Sequence, residues 1–272
     1  KAGDEYAEYM GQYPVINISL KSMKQASYEF AFLEFKRIMS KEFDRYREVL
    51  KLDILSPSER RKFEGIYNDI AENSVYFSSI SLLSDCLYKA YNKKVIILID
   101  EYDVPLENAY FEGFYKPMVD LIRSAFESAL KTNNSLEFAV ITGCLRISKE
   151  SIFSGLNNLN IYPITESLFS DNFGFTELEV LDMIKYYKIE NKFSEIKEWY
   201  NGYMFGKTEI YNPWSVIKYV QAVSYDNTSF PKPYWSNTSS NSIIKDLISK
   251  GDSDTREKIE LLINGGSVEK II

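Results

Sequence analysis

The run Val95-Ile96-Ile97-Leu98-Ile99, closed by Asp100-Glu101-Tyr102-Asp103, constrains this chain more than any other stretch. Its apolar residues follow one another without alternation and are mostly β-branched, the pattern of a parallel strand buried on both faces. Phe114, Met118, Leu121, Ile122, Ala125, Phe126 and Ala129 then recur at helical spacing, with Pro117 tolerable in the first turn or as a kink. Leu136 to Ile141 reads as the next strand and ends at Thr142-Gly143. Strand, helix and strand at this spacing make a right-handed crossover, so the fold class is α/β with a parallel sheet flanked by helices. Ligands of open α/β sheets gather at the carboxyl ends of the strands, where Asp100, Glu101 and Thr142 would stand together.

The flanks extend this pattern. Tyr13 to Leu20 is a β-rich run, and from Tyr28 to Leu50 apolar residues recur at three and four. Ser56-Pro57-Ser58-Glu59 carries a capping box with Pro at the first helical position, and Ile80, Leu83, Leu87 and Tyr91 mark another helix. After Gly155 the texture changes. Asn157, Asn158 and Asn160 mark a loop, and Ile161 to Ile164 reads as a short edge strand. Helices follow, opened by the Thr176–Glu179 capping box and by Asn212-Pro213, with two short ones between residues 240 and 264. The expected division is a core over residues 1–170 and a mainly helical subdomain over 171–272.

Composition removes several chemistries. The absence of histidine rules out Ser-His-Asp and Cys-His mechanisms and any imidazole base. Cys86 and Cys144 stand far apart without metal-ligand spacing and read as buried thiols. A net charge of −7 argues against a generally basic nucleic-acid surface. No apolar stretch approaches the roughly 18 residues of a membrane span, so neither insertion nor export is expected, and the compartment expected is the cytoplasm.

An apolar strand closed by Asp-Glu is the Walker B pattern. There the Asp holds Mg²⁺, usually through water, and the adjacent Glu polarises the water that attacks the γ-phosphate of ATP. Those residues would be Asp100 and Glu101, although many buried strands also end in acidic turns. Thr142 stands where a polar sensor would read the γ-phosphate or the lytic water; taken alone, a Thr at a strand end is more often turn chemistry. Arg146 could reach phosphate oxygens or be a surface arginine. Asp103 reads as a cap of the following segment, with the metal shell as its alternative.

Two stretches imitate other sites. Gly202-Tyr203-Met204-Phe205-Gly206-Lys207-Thr208 resembles a phosphate loop, but it has three residues between its glycines where four are needed. It reads as a turn between short elements. Asp182 with Glu195-Ile196-Lys197 imitates a nuclease metal site, but these residues fall on predicted helices rather than adjacent strands.

With these residues in view, the chain resembles the bacterial AAA-ATPase-like family, whose members often carry a PD-(D/E)xK-type nuclease domain. The resemblance runs over about residues 13–220. It rests on Val95 to Asp103 with Pro105, Thr142-Gly143-Cys144-Leu145-Arg146-Ile147-Ser148-Lys149 with Ser151 to Asn158, Phe173-Gly174-Phe175-Thr176, Trp199 to Tyr203, and Tyr211-Asn212-Pro213-Trp214-Ser215. It implies a P-loop NTPase-like core followed by a helical lid, with ATP and Mg²⁺ as cofactors. Asp100 would be the metal ligand, Glu101 the catalytic base, Thr142 the sensor and Arg146 a phosphate contact. Family members begin with a strand and a loop of the form RRFGKS. No stretch here matches it, so the resemblance implies that the first strand and phosphate loop lie outside the chain, as does the nuclease. Nucleic acid, reached through such an absent domain, and oligomerisation are compatible with it. The alternatives are a degenerate nucleotide fold used as a scaffold and the regulatory part of a nuclease or defence protein.

Overall fold

The computed structural model describes residues 4–145, 152–153, 156, 159–235, 248–264 and 266–268. It divides into two units, residues 1–159 and 160–272. The first is built on a parallel sheet of β1 (Val15–Ser19), β2 (Val95–Asp100) and β3 (Leu136–Ile141), in that spatial order. Between β1 and β2 run α1 (Tyr28–Arg45), α2 (Pro57–Tyr67), α3 (Asn73–Tyr76) and α4 (Ser79–Tyr91). Between β2 and β3 run α5 (Val104–Glu112) and α6 (Tyr115–Leu130), with Pro117 in the first turn of α6, where no backbone donor is lost.

Local signals account for the helix boundaries. The Ser27 hydroxyl accepts from Phe30 N–H at the start of α1. Ser56 and Glu59 form the capping box that opens α2, and the sharp end of α4 falls on Asn92 in the left-handed region. Each helix buries one stripe. Phe35, Met39 and Phe43 of α1, Phe63 of α2, Leu83 and Leu87 of α4, and Met118 and Ile122 of α6 join one core with the sheet. Burial of such side chains contributes roughly 1.5–3 kcal/mol each.

That core lies on one face of the sheet. The register aligns Ile16, Ile97 and Ala139, then Ile18, Ile99 and Ile141, and these pack into the core. The other face presents Asn17, half-buried Ile96 and Leu98, and exposed Phe138 and Val140. β2 is therefore not buried on both faces, as its unbroken apolar run predicts. The reason is topological: two right-handed crossovers that step in the same direction along a sheet lay their helices on the same side.

The two edges of the sheet also differ. At β1 the outward N–H of Val15 donates to Tyr46 Oη at 3.2 Å, and that hydroxyl donates to Val15 O at 2.7 Å. The N–H of Asn17 donates to Glu42 Oε1 at 2.9 Å, and Arg45 holds the same carboxylate at 2.7 and 2.8 Å. Glu42 is 5% exposed, and its burial pushes the carboxyl pKa up against the opposing pull of the Asn17 and Arg45 bonds. At β3, Thr142 both donates to Ile99 O and accepts from Tyr102 N, so the two-residue alternation turns the backbone groups of Ala139 and Ile141 outward. Among the described residues, these have no partner.

The second unit holds α7 (Glu177–Tyr186), α8 (Phe193–Tyr200), the antiparallel hairpin β4 (Asn201–Phe205) and β5 (Thr208–Tyr211), α9 (Pro213–Tyr225) and α10 (Ser253–Ile263). Val180, Ile184, Ile196, Tyr200, Tyr211, Val216 and Tyr219 form its own core. The capping box of Thr176 and Glu179 and the Asn212 cap are both present. The edge strand expected over 161–164 does not form. Ile164 O accepts from Gly206 N–H at 2.7 Å, and no ladder follows. Among the described residues, no helix is long and apolar enough to cross a membrane.

Candidate functional site

The carboxyl ends of β2 and β3 are joined by a dense set of hydrogen bonds. Thr142 Oγ1 donates to Asp100 Oδ1 at 2.5 Å. Tyr102 N–H donates to Thr142 O at 3.1 Å, and its hydroxyl donates to Leu145 O at 2.6 Å. The N–H groups of Cys144 and Leu145 both donate to Asp103 Oδ2, at 2.9 and 2.7 Å. The turn after β2 is thus fastened to the turn after β3 along its whole length.

The backbone makes this possible at two points. Glu101 lies in the left-handed region at φ 55°, which costs a non-glycine residue roughly 1 kcal/mol. The reversal buries Tyr102 and Asp103, while Asp100 stays exposed and Glu101 half-exposed. Opposite them, a Cβ added at Gly143 would meet the Tyr102 ring at 2.6 Å and Asp103 Oδ1 at 2.7 Å. Only glycine lets the two turns approach so closely.

Sequence reasoning expects Asp100, Glu101 and Thr142 at one place, and the structure brings Asp100 and Thr142 into direct contact with Glu101 beside them. Arg146 lies outside the described residues. The reading of Asp103 as a cap is corrected. The residue stands at the N-cap of α5, yet its side chain makes no cap bond. It is also 2% exposed, and its Oδ2 is taken up by the Cys144 and Leu145 amides. Its Oδ1 is buried without a hydrogen-bond partner among the described residues, a loss worth about 1–3 kcal/mol for a polar group. The only hint of this in the sequence is the glycine at 143, whose need for space is invisible without the partner strand.

The field at this end of the sheet is negative. Cys144 is exposed, so the expectation of a buried thiol holds for Cys86 and not for Cys144. The Cys144 thiol pKa is pushed up, first by desolvation and then by Asp103, Glu101, Glu107 and Asp100, which all oppose a thiolate. An anionic phosphate tail could approach such carboxylates only with a cation between them. Among the described residues, no group of three or more acidic, Cys or His side chains forms a ready cage for a metal. Mg²⁺, however, commonly takes one or two carboxylates together with phosphate oxygens and water. Asp100 fits that role: it is an exposed hard-oxygen donor, and Thr142 is the only described side chain bonded to its carboxylate.

The imitations dissolve in the structure. Gly206 and Lys207 are the two-residue loop of the β4–β5 hairpin, with Phe205 paired to Thr208, and no helix N-terminus follows them. Asp182 lies on α7, and Glu195 and Lys197 on α8. Lys197 pairs with Glu177 at 2.7 Å and Glu195 with Lys192 at 2.9 Å, as surface ion pairs do.

Comparison with known proteins adds two findings. A family described as "AAA-ATPase_like: Predicted AAA-ATPase" matches residues 2–153. An uncharacterized protein in the vnfD 5′ region of Azotobacter chroococcum mcd 1 is 29% identical over 164 residues, covering 60% of this chain and 30% of that protein. The aligned segment is thus less than a third of that relative. No solved structure matches.

Proposed function

The chain belongs to the AAA-ATPase-like family, and from that premise we propose that the joined ends of β2 and β3 are the metal- and water-handling half of a Mg²⁺-dependent ATP hydrolase. The observation that carries the reading is the bond between Thr142 and Asp100, which unites the two strand ends on an exposed, acidic rim. In this reading Asp100 is the metal ligand and Thr142 the sensor. Glu101 orients the attacking water and takes up its proton, and Arg146 contacts phosphate. Mg²⁺, when bound, would neutralise phosphate charge. In this reading the activity belongs in the cytoplasm, where ATP and Mg²⁺ are available.

The other half is a phosphate cradle supplied by chain outside these residues. The open flank of β3 and the uncovered sheet face favour this. A parallel strand beside β3, feeding a helix that leads back to β1, steps in the opposite direction to the crossovers already present. Right-handedness would then lay its helix on the bare face, over Phe138, Val140, Ile96 and Leu98. The N-terminus of that helix would stand at the carboxyl ends of the strands, where backbone amides hold phosphate.

The test is Glu101→Gln in the complete protein. ATP binding should persist while turnover falls on the order of 10²–10⁴-fold, the usual contribution of a positioned base. Unchanged turnover would remove Glu101 from its role. A complete protein that neither binds nor hydrolyses ATP would instead be a nucleotide fold serving as a scaffold.

A further inference from the structure

We propose that Asp103 is a positioning residue: by holding the amides of Cys144 and Leu145, it sets the turn that aims Thr142 at Asp100. Its effect on turnover rests on the function proposed above, whereas its effect on the turn does not.

The placement of its two oxygens argues for this role. Oδ2 takes both amide donors, one at 2.9 Å and one at 2.7 Å. Oδ1 lies 2.7 Å from where a Cβ at Gly143 would stand, so a side chain there would displace it, and it has no hydrogen-bond partner among the described residues. A residue needed only to open α5 has no use for this arrangement. It would sit at the surface with its oxygen on the first helical amides, as Ser27, Ser56 and Thr176 do on their own helices. Asp103 reaches instead across to the neighbouring strand end, 41 and 42 residues along the chain.

The Tyr102 hydroxyl works beside it, donating to Leu145 O. Between them, Tyr102 and Asp103 bind both the N–H and the C=O of Leu145 and the N–H of Cys144. Thr142 is thereby bounded on its C-terminal side by a fixed turn and on its N-terminal side by the ladder to Ile99. A hydroxyl that must meet one carboxylate oxygen has little freedom left in that frame.

The deciding experiment uses the complete protein with Asp103→Asn and Asp103→Ser. Asparagine keeps an acceptor of the same reach. Serine caps a helix equally well but is too short to bridge to the neighbouring turn. Hydrogen exchange at Cys144 and Leu145, resolved by mass spectrometry of the peptide, reads the clamp directly. Protection should drop about tenfold or more in Asp103→Ser and stay within about threefold of the parent in Asp103→Asn, as expected for loss or retention of a net hydrogen bond or two. In turnover, Asp103→Ser should lower kcat on the order of 10²-fold at unchanged KM, with recovery in Asp103→Asn. If Asp103→Ser does not fold while Asp103→Asn does, the bridging acceptor is again what is required. Equal exchange in the serine and parent proteins would overturn the proposal, as would an asparagine variant as exposed as the serine one. Should the parent show no ATP turnover, the function falls and the exchange comparison still decides the clamp.

Discussion

The two edges of the three-stranded sheet are finished in opposite ways. At β1, the end of α1 and its C-cap lend Glu42, Arg45 and Tyr46 to imitate a neighbouring strand, and both outward groups of Val15 and the N–H of Asn17 are satisfied by side chains. At β3 nothing comparable is present among the described residues. Phe138 and Val140 are 50% and 45% exposed, and the backbone of Ala139 and Ile141 faces outward. A bare, apolar edge is a template for pairing, and proteins usually blunt it with charge, proline, a bulge or a cover. The contrast teaches that the two edges are not equivalent: one is finished by side chains of its own unit, and the other is left free to pair, as the proposed function requires. It therefore points the search for the remaining half of the site to the flank beside β3.

The strongest way to break this comparison is to charge the open side. Phe138→Asp with Val140→Asp should cost the complete protein about 3 kcal/mol or more in urea denaturation, because both positions would lie beneath a strand and helix. In the 272-residue chain the same pair should cost less than about 1 kcal/mol, as surface changes do. Equal small costs in both proteins would mean that β3 is a true edge.

A smaller effect comes from the sealed side. Glu42→Ala leaves the part-buried Asn17 amide and the Arg45 guanidinium without this acceptor and should lose about 2–3 kcal/mol. Tyr46→Phe, which gives up the two bonds to Val15, should lose about 1 kcal/mol. Denaturation midpoints would check both, and two unchanged midpoints would show that the edge is sealed by something else.

The smallest effect is a pH dependence at the same place. Burial raises the Glu42 pKa above that of the unfolded chain, so the folded state binds this proton more tightly. Its contribution is then complete below the ordinary carboxylate range and fades as pH rises through the folded value. The stability difference between the parent and Glu42→Gln should therefore shift in favour of the parent as pH falls from neutrality towards about 4. A difference that is flat with pH would mean that the Arg45 and Asn17 bonds offset the burial.

Much of the architecture was legible because it rests on short-range rules. The β2 run, the spacing of α6, and the capping boxes at Ser56 and Thr176 each name their element from a few neighbouring residues. The gathering of Asp100, Glu101 and Thr142 also follows from strand order alone, since parallel strands carry their carboxyl ends to one side. The β4–β5 hairpin was less legible. Gly202 to Thr208 reads as a turn between short elements, and only the pairing of Tyr203 with Ile210 and of Phe205 with Thr208 makes it a ladder. Asp103 misleads for a similar reason, since an Asp before a helix looks like a cap until its distant partners are known.

By itself, the sequence determined most of the strands and helices of the first unit, which residues close the strands, and that no imidazole chemistry is available. These depend on periodicity, caps and residue type, all encoded within a turn or two of the chain. Tertiary structure alone decided that β2 is covered on one face, that β1 is sealed while β3 stays open, and that Asp103 fastens the turn behind Thr142. Each of those depends on the direction of a crossover or on groups more than 20 residues apart, and local spacing carries no record of either.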